Sequence, residues 1–251
     1  MRRAIIGTAV LTGIVLGGCA QLSDAMSSIF SIFKVDFSLD DNAVDYGIEF
    51  PSAFKNSSLV SSVNAVMGTG SGISIPGTGI TLPRAARSAQ AKLDVLSLLG
   101  FSSVPDMLSK TTLKLTFNLK ADNSKNKDKA SFPFSSGLNL FVRDVTSDKR
   151  TTGGAIEPFD VAGGGITKLA IPVPVPLSLL TGGALNDVVD GKPIPYRVAG
   201  TFGFALRSPM GDTLGKDSTS MDLKTGNVAT RPSTDASTYD FFVKVYDFLV
   251  N

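Results

Sequence analysis

Apolar and polar residues alternate through most of the second half of the chain. Leu113, Leu115, Phe117 and Leu119 interleave with Lys114, Thr116, Asn118 and Lys120. A period of two places one face of a strand in a core and the other in water. The same period returns at Leu138, Leu140 and Val142 after Phe132 to Phe134, and at Tyr196, Val198, Phe202, Phe204 and Leu206, where Gly200 and Gly203 allow a bend or bulge. Met221 and Leu223 give a weaker strand, set between turns at 208–215 and at Lys224-Thr225-Gly226. Residues 146–154 read as a charged, glycine-ended turn. Nearer the start, Val35, Phe37 and Leu39 alternate with Lys34, Asp36 and Ser38. A turn at Asp40-Asp41-Asn42 then leads to a second strand through Tyr46, Ile48 and Phe50.

One strand carries its own place in the sheet. Leu169, Ile171, Val173, Val175 and Leu177 alternate with Ala170, Pro172, Pro174 and Pro176. Proline cannot donate to a ladder, so three on one face put this segment at a sheet edge and block that edge against other chains.

Three stretches have helical spacing instead. Leu59, Val60, Val63 and Val66 predict a short helix over 57–67, and Ala89, Leu93, Leu96 and Leu99, widened by Val95 and Leu98, predict a longer one over 85–99, ended by Gly100. Pro105 suits the first turn of another at 104–108. Tyr239, Phe241, Phe242, Val245, Tyr246, Phe248 and Leu249 predict a terminal helix over 238–250, with a last strand as the competing reading because Phe241, Val243 and Val245 also alternate. The expected fold is mainly β: an antiparallel β-sandwich with a helical insertion around 84–110 and a C-terminal helix.

The first residues follow different rules. Met1-Arg2-Arg3 is a positive head, Ala4 to Leu16 is an apolar run too short for a permanent membrane span, and Leu16-Gly17-Gly18-Cys19 closes it. This resembles the lipobox of bacterial lipoproteins. The resemblance implies that Cys19 receives a diacylglycerol, that cleavage falls just before it, and that the new amino terminus is acylated as well. Several acyl chains meet the requirement that stable anchoring needs more than one. Ala20 rather than Asp follows the cysteine, the form that in Gram-negative lipoproteins is destined for the outer membrane. The expected organisation is a signal peptide over 1–18, a lipidated tether over 19–33 and one sandwich domain over 34–251, facing the periplasm.

Composition narrows the chemistry. Basic and acidic residues number 24 and 22, and removing Arg2 and Arg3 leaves 22 against 22. A neutral mature chain lacks the basic excess that nucleic acid demands, so membrane attachment rests on acylation. Cys19 is the sole cysteine, so the exported domain is held by packing without disulfides. Histidine is absent, which removes the commonest general base, the commonest zinc ligand and the Ser-His and Cys-His pairs together. No catalytic residue, cofactor or metal is expected. Asp40, Asp41, Asp45 and Glu49 lack the spacing and glycine of an EF-hand and read as solvated turn charges. The glycines at 68–72 and 77–79 lack the strand, helix and lysine of a phosphate loop. Ser31-Ile32-Phe33-Lys34, Asp122-Asn123 and Lys224-Thr225-Gly226 follow the order of the boxes of serine penicillin-binding enzymes. The middle box lacks its serine, and Ser31 lies in the tether instead of on a buried helix.

The stretch from Leu113 to about Val228 is similar to a known family. Leu113-Lys-Leu-Thr-Phe-Asn-Leu-Lys-Ala-Asp-Asn123, the strand Gly137 to Val142, Ile171-Pro-Val-Pro-Val175, and Pro195 to Gly200 running on to Gly226-Asn227-Val228 resemble bacterial late embryogenesis abundant type 2 proteins, also called water-stress and hypersensitive-response domains. The family usually has Asn-Pro where Asn123-Ser124 stands. The resemblance implies a small antiparallel sandwich of fibronectin-like shape, often lipid-anchored, with no known catalytic residues. Its expected role is structural, protective or binding. The alternative is a carrier for a lipid or apolar ligand, or an accessory subunit of an envelope complex that docks on an exposed Phe242, Tyr246, Leu249 stripe.

Overall fold

The computed structural model describes residues 35–68, 88–143, 145–146, 149–181, 183–207, 213–228 and 235–251. The signal peptide, the tether and Cys19 lie outside these residues, as does the glycine-rich stretch after Gly68.

The alternating segments form antiparallel sheets. One holds β1 (Asp36–Glu49), β2 (Thr112–Asp122) and β7 (Ile166–Pro176) in the order β1-β2-β7. Another holds β4 (Ser136–Val142), β5 (Thr152–Ile156), β8 (Ile194–Arg207) and β9 (Thr213–Val228) in the order β5-β4-β8-β9. β3 (Ala130–Phe132) and β6 (Phe159–Val161) make a small two-stranded sheet. The two larger sheets pack face to face. Phe117 on β2 meets Tyr196 on β8 edge-on at 5.8 Å, and Phe37 on β1 stacks on Phe202 of β8 at 4.1 Å. The protein is therefore mainly β with a C-terminal helix, as the alternation predicts.

β2 lies at the centre of its sheet because its period is clean. Leu113, Leu115, Phe117, Leu119 and Ala121 are all buried, while Lys114 turns outward to pair with Glu49 at 2.7 Å. Each large apolar side chain moved from water into such a core contributes about 1.5–3 kcal/mol.

The prolines of β7 sit at the edge, as expected. Pro172, Pro174 and Pro176 stand opposite Thr116, Lys114 and Thr112. Leu177 donates its N–H to the Thr111 carbonyl at 2.9 Å, so the odd-numbered residues of β7 face β2. The prolines therefore aim their missing donors along the open edge while Ile171, Val173 and Val175 fill the core.

Three expected turns are strand instead. Asp40-Asp41-Asn42 does not reverse the chain, and β1 runs on through it. Leu39 pairs with Leu119 and Val44 with Phe117, so five steps along β1 answer two along β2 and the surplus forms a bulge. Both halves of β1 find apolar partners on the long face of β2, and no hairpin between them is needed. Lys224-Thr225-Gly226 likewise lies inside β9, which β8 pairs from Ile194 to Arg207. The supposed turn at 146–154 ends in β5, whose Gly154 admits the other sheet. A Cβ there would sit 2.7 Å from Val173 Cγ2 and 2.8 Å from the Pro172 carbonyl.

The helices gather at one end of the sandwich, where β1 and β7 finish and β2 begins. α1 (Ser57–Gly68) follows a 3-10 turn at Ser52–Lys55. α2 (Ala89–Leu98) begins four residues later than its apolar spacing predicts, because the Ser88 hydroxyl caps it by accepting from the Ala91 N–H at 3.2 Å. α3 (Val104–Lys110) carries Pro105 in its first turn and is capped by Ser103. α4 (Gly183–Val189) is a short helix that the sequence reading did not mark. α5 (Ala236–Val250) settles the C-terminal alternative in favour of helix.

Candidate functional site

α5 buries the stripe proposed for a partner. Phe242 is fully buried, Leu249 is buried and Tyr246 is partly so. The Phe242 ring lies 5.5 Å from Phe50, 5.8 Å from Phe54 and 6.3 Å from Tyr246. Apolar residues at three- and four-residue spacing bind the helix to the body of the protein, so Phe242, Tyr246 and Leu249 are packing residues and do not offer a free face. Tyr239 adds a polar clasp that the sequence reading missed. Its hydroxyl donates to the Val188 carbonyl at 2.6 Å, at the end of α4.

The enzyme-like boxes do not converge. Asp122-Asn123 ends β2 at the pole opposite the helices. Lys224, Thr225 and Gly226 pair with Val198, Arg197 and Tyr196, near the helical pole of β9. Ser31 and Lys34 lie outside the described residues, as do the side chains of Asp40, Asp41 and Asp45. Among the described residues no group of three or more His, Cys, Asp or Glu could hold a metal, and no helix is long and apolar enough to cross a membrane.

The most organised polar site surrounds Asn123, at the end of β2. Asn123 is fully buried. Its amide Nδ2 donates to the Asp128 carbonyl at 2.9 Å and the Ala162 carbonyl at 3.2 Å. Its backbone N–H reaches the Gly165 carbonyl at 2.8 Å, and its own carbonyl accepts from Asn126 and Gly164 at 3.1 and 3.2 Å. One side chain thus fastens the loop after β2 to the loop between β6 and β7. The approach is close enough to require glycine: a Cβ on Gly163 would fall 1.9 Å from the Lys127 carbonyl, and Gly164 has φ +67. Asp122 beside it is held down to a pKa of about 2 by the Ser124 hydroxyl and backbone N–H, with Lys120 adding to the effect.

A second polar patch crosses the outer face of the four-stranded sheet. Arg150 donates to Asn139 at 3.0 Å, Asn139 reaches Thr201 at 3.5 Å, and Thr201 meets Ser220 at 3.4 Å. Arg197 pairs with Asp222 at 3.0 Å while its guanidinium covers the Phe141 ring at 4.1 Å. These groups bond to one another across the sheet. The remaining shifts also answer to local causes: burial pushes the Tyr196 phenol up, Asp190 raises Lys192, and Ser102 with Lys110 lowers Asp106. The arrangement can lock loops and strands and present polar surface. It does not assemble a nucleophile with a base.

No protein-family model matches the chain, and no curated protein matches it. Among solved structures, a crystal structure of a protein from Archaeoglobus fulgidus is similar over 45% of this chain and 86% of its own, at 13% identity and a TM-score of 0.28.

Proposed function

We propose that this protein is a non-catalytic, lipid-anchored module of the bacterial cell envelope, with a structural, protective or binding role. The observation that carries the proposal is Leu16-Gly17-Gly18-Cys19 at the end of an export-type leader, with Cys19 the sole cysteine of the chain. The folded domain supports it in two ways. Among the described residues its polar clusters are built largely from mutual bonds that tie loops and strands together. Phe37, Phe132, Phe159 and Phe202 pack together between the sheets, with Phe132 stacked on Phe159 at 4.9 Å. That filling weighs against an acyl chain carried there.

Intact-mass measurement of membrane-extracted protein, wild type beside Cys19→Ser, tests the reading. The expected mass begins at Cys19 and includes acyl chains, and both features vanish in the variant. A soluble, unacylated wild type would overturn the anchor and leave a freely secreted protein.

A further inference from the structure

Four strands lie at the edges of the two larger sheets, namely β1, β7, β5 and β9. An edge strand presents unpaired backbone groups, and proteins usually blunt such edges. β7 is blunted by its three outward prolines, β1 is broken by its bulge, and β5 has five residues, two of them glycine. β9 differs: it runs sixteen residues without proline, pairs only with β8 among the described residues, and between its two bulges keeps a regular run of eight residues, 215–222.

The direction of its free groups follows from the register. Arg143 donates its N–H to the Pro195 carbonyl at 2.7 Å, so odd-numbered residues of β8 turn toward β4 and even-numbered ones toward β9. Gly215, Asp217, Thr219 and Met221 stand opposite even-numbered β8 residues and bond inward to that strand. Lys216, Ser218, Ser220 and Asp222 therefore point their N–H and C=O groups outward, and all four are exposed.

We propose that this edge pairs with the same edge of a second copy of the chain, antiparallel about a two-fold axis at Thr219. Charge selects both occupant and register. Centred on Thr219, Lys216 faces Asp222 of the second copy, the two-fold repeats that pair, and Ser218 faces Ser220. A shift of one hydrogen-bonding step in either direction parts Lys216 from Asp222 of the second copy. Lys216 and Asp222 lie on the same outer face, where Lys216 sits 4.3 Å over the Phe134 ring and Asp222 meets Arg197. In the single chain the Asp217 carboxylate accepts the outward Ser218 N–H at 2.7 Å. On pairing, that donor passes to the Ser220 carbonyl of the second copy. The two four-stranded sheets then become one of eight strands.

The test uses full-length, membrane-extracted protein. Thr219 occupies a non-hydrogen-bonded position at the axis, where facing Cβ atoms stand about 4.5–5.5 Å apart. Thr219→Cys should give a disulfide-linked dimer under mild oxidation, at least about tenfold above both wild type, which controls for Cys19, and Lys216→Cys, which does not face itself. Ser220→Pro removes an outward donor and no backbone bond to β8, losing only the exposed hydroxyl contact with Thr201. Added to Thr219→Cys, it should abolish the dimer while far-UV circular dichroism stays unchanged. Equal cross-linking from Thr219→Cys and Lys216→Cys, or none above wild type from Thr219→Cys, overturns the proposal.

Discussion

Replacing Asn123 by alanine tests whether one amide holds the pole of the sandwich opposite the helices. The change deletes the bonds to the Asp128 and Ala162 carbonyls, at 2.9 and 3.2 Å. Each contributes about 1 kcal/mol net, and carbonyls left without a donor in a part-buried loop add about another 1. The expected loss is thus about 2–3 kcal/mol. For a domain of this size that lowers the thermal midpoint by about 5–10 °C. Circular dichroism melting of purified wild type and Asn123→Ala measures it. Asn123→Asp should be worse than alanine at neutral pH, because an ionised carboxylate would face carbonyl oxygens in place of a donor. A midpoint within about 1 °C of wild type for Asn123→Ala, or an aspartate variant as stable as wild type, would refute the reasoning.

Gly163→Ala should destabilise at least as much as Asn123→Ala in the same melt, since its Cβ would fall 1.9 Å from the Lys127 backbone carbonyl, which cannot swing aside. Phe242→Ala should cost about 3–5 kcal/mol by denaturant titration, because the ring is fully buried and a cavity would replace it. The Asp122 carboxyl should titrate near pH 2 by NMR, and Ser124→Ala should raise that midpoint. Because the folded pKa is lowered, the associated stability is present above the ordinary carboxylate pKa near 4 and is lost as pH falls through about 2. Tyr239→Phe should lower stability by about 1 kcal/mol through loss of the bond to the Val188 carbonyl, measured by the same denaturant titration.

The legible parts of the fold were those where one face meets a core and the other meets water. β2 and β7 announced themselves through strict alternation, and the prolines of β7 also announced its edge. β9 was nearly invisible. Its Ser, Thr and Asp residues are exposed or only partly buried, so no period marks them, and its pairing is supplied by β8. The bulge in β1 looked like a turn because a local run of Asp and Asn is the same in both. Only the register against β2 separates them. The site divided in the same way. Asn123 stood out as an Asn at a strand end, yet its burial depends on carbonyls at 161 and 162, far along the sequence. Phe242 and Leu249 were visible as a stripe, but what covers a stripe is a property of Phe50 and Phe54.

The prolines of β7 also bear on stoichiometry. A molecule with two usable strand edges can add neighbours on both sides and grow without limit, whereas one with a single usable edge can only meet its like and stop. With Pro172, Pro174 and Pro176 sealing one edge of the three-stranded sheet, the bulge of β1 breaking its other edge and β5 short at the far side of the four-stranded sheet, the proposed edge-to-edge association through β9 would close at two copies. Three rings of pyrrolidine thus separate a finite assembly from a filament.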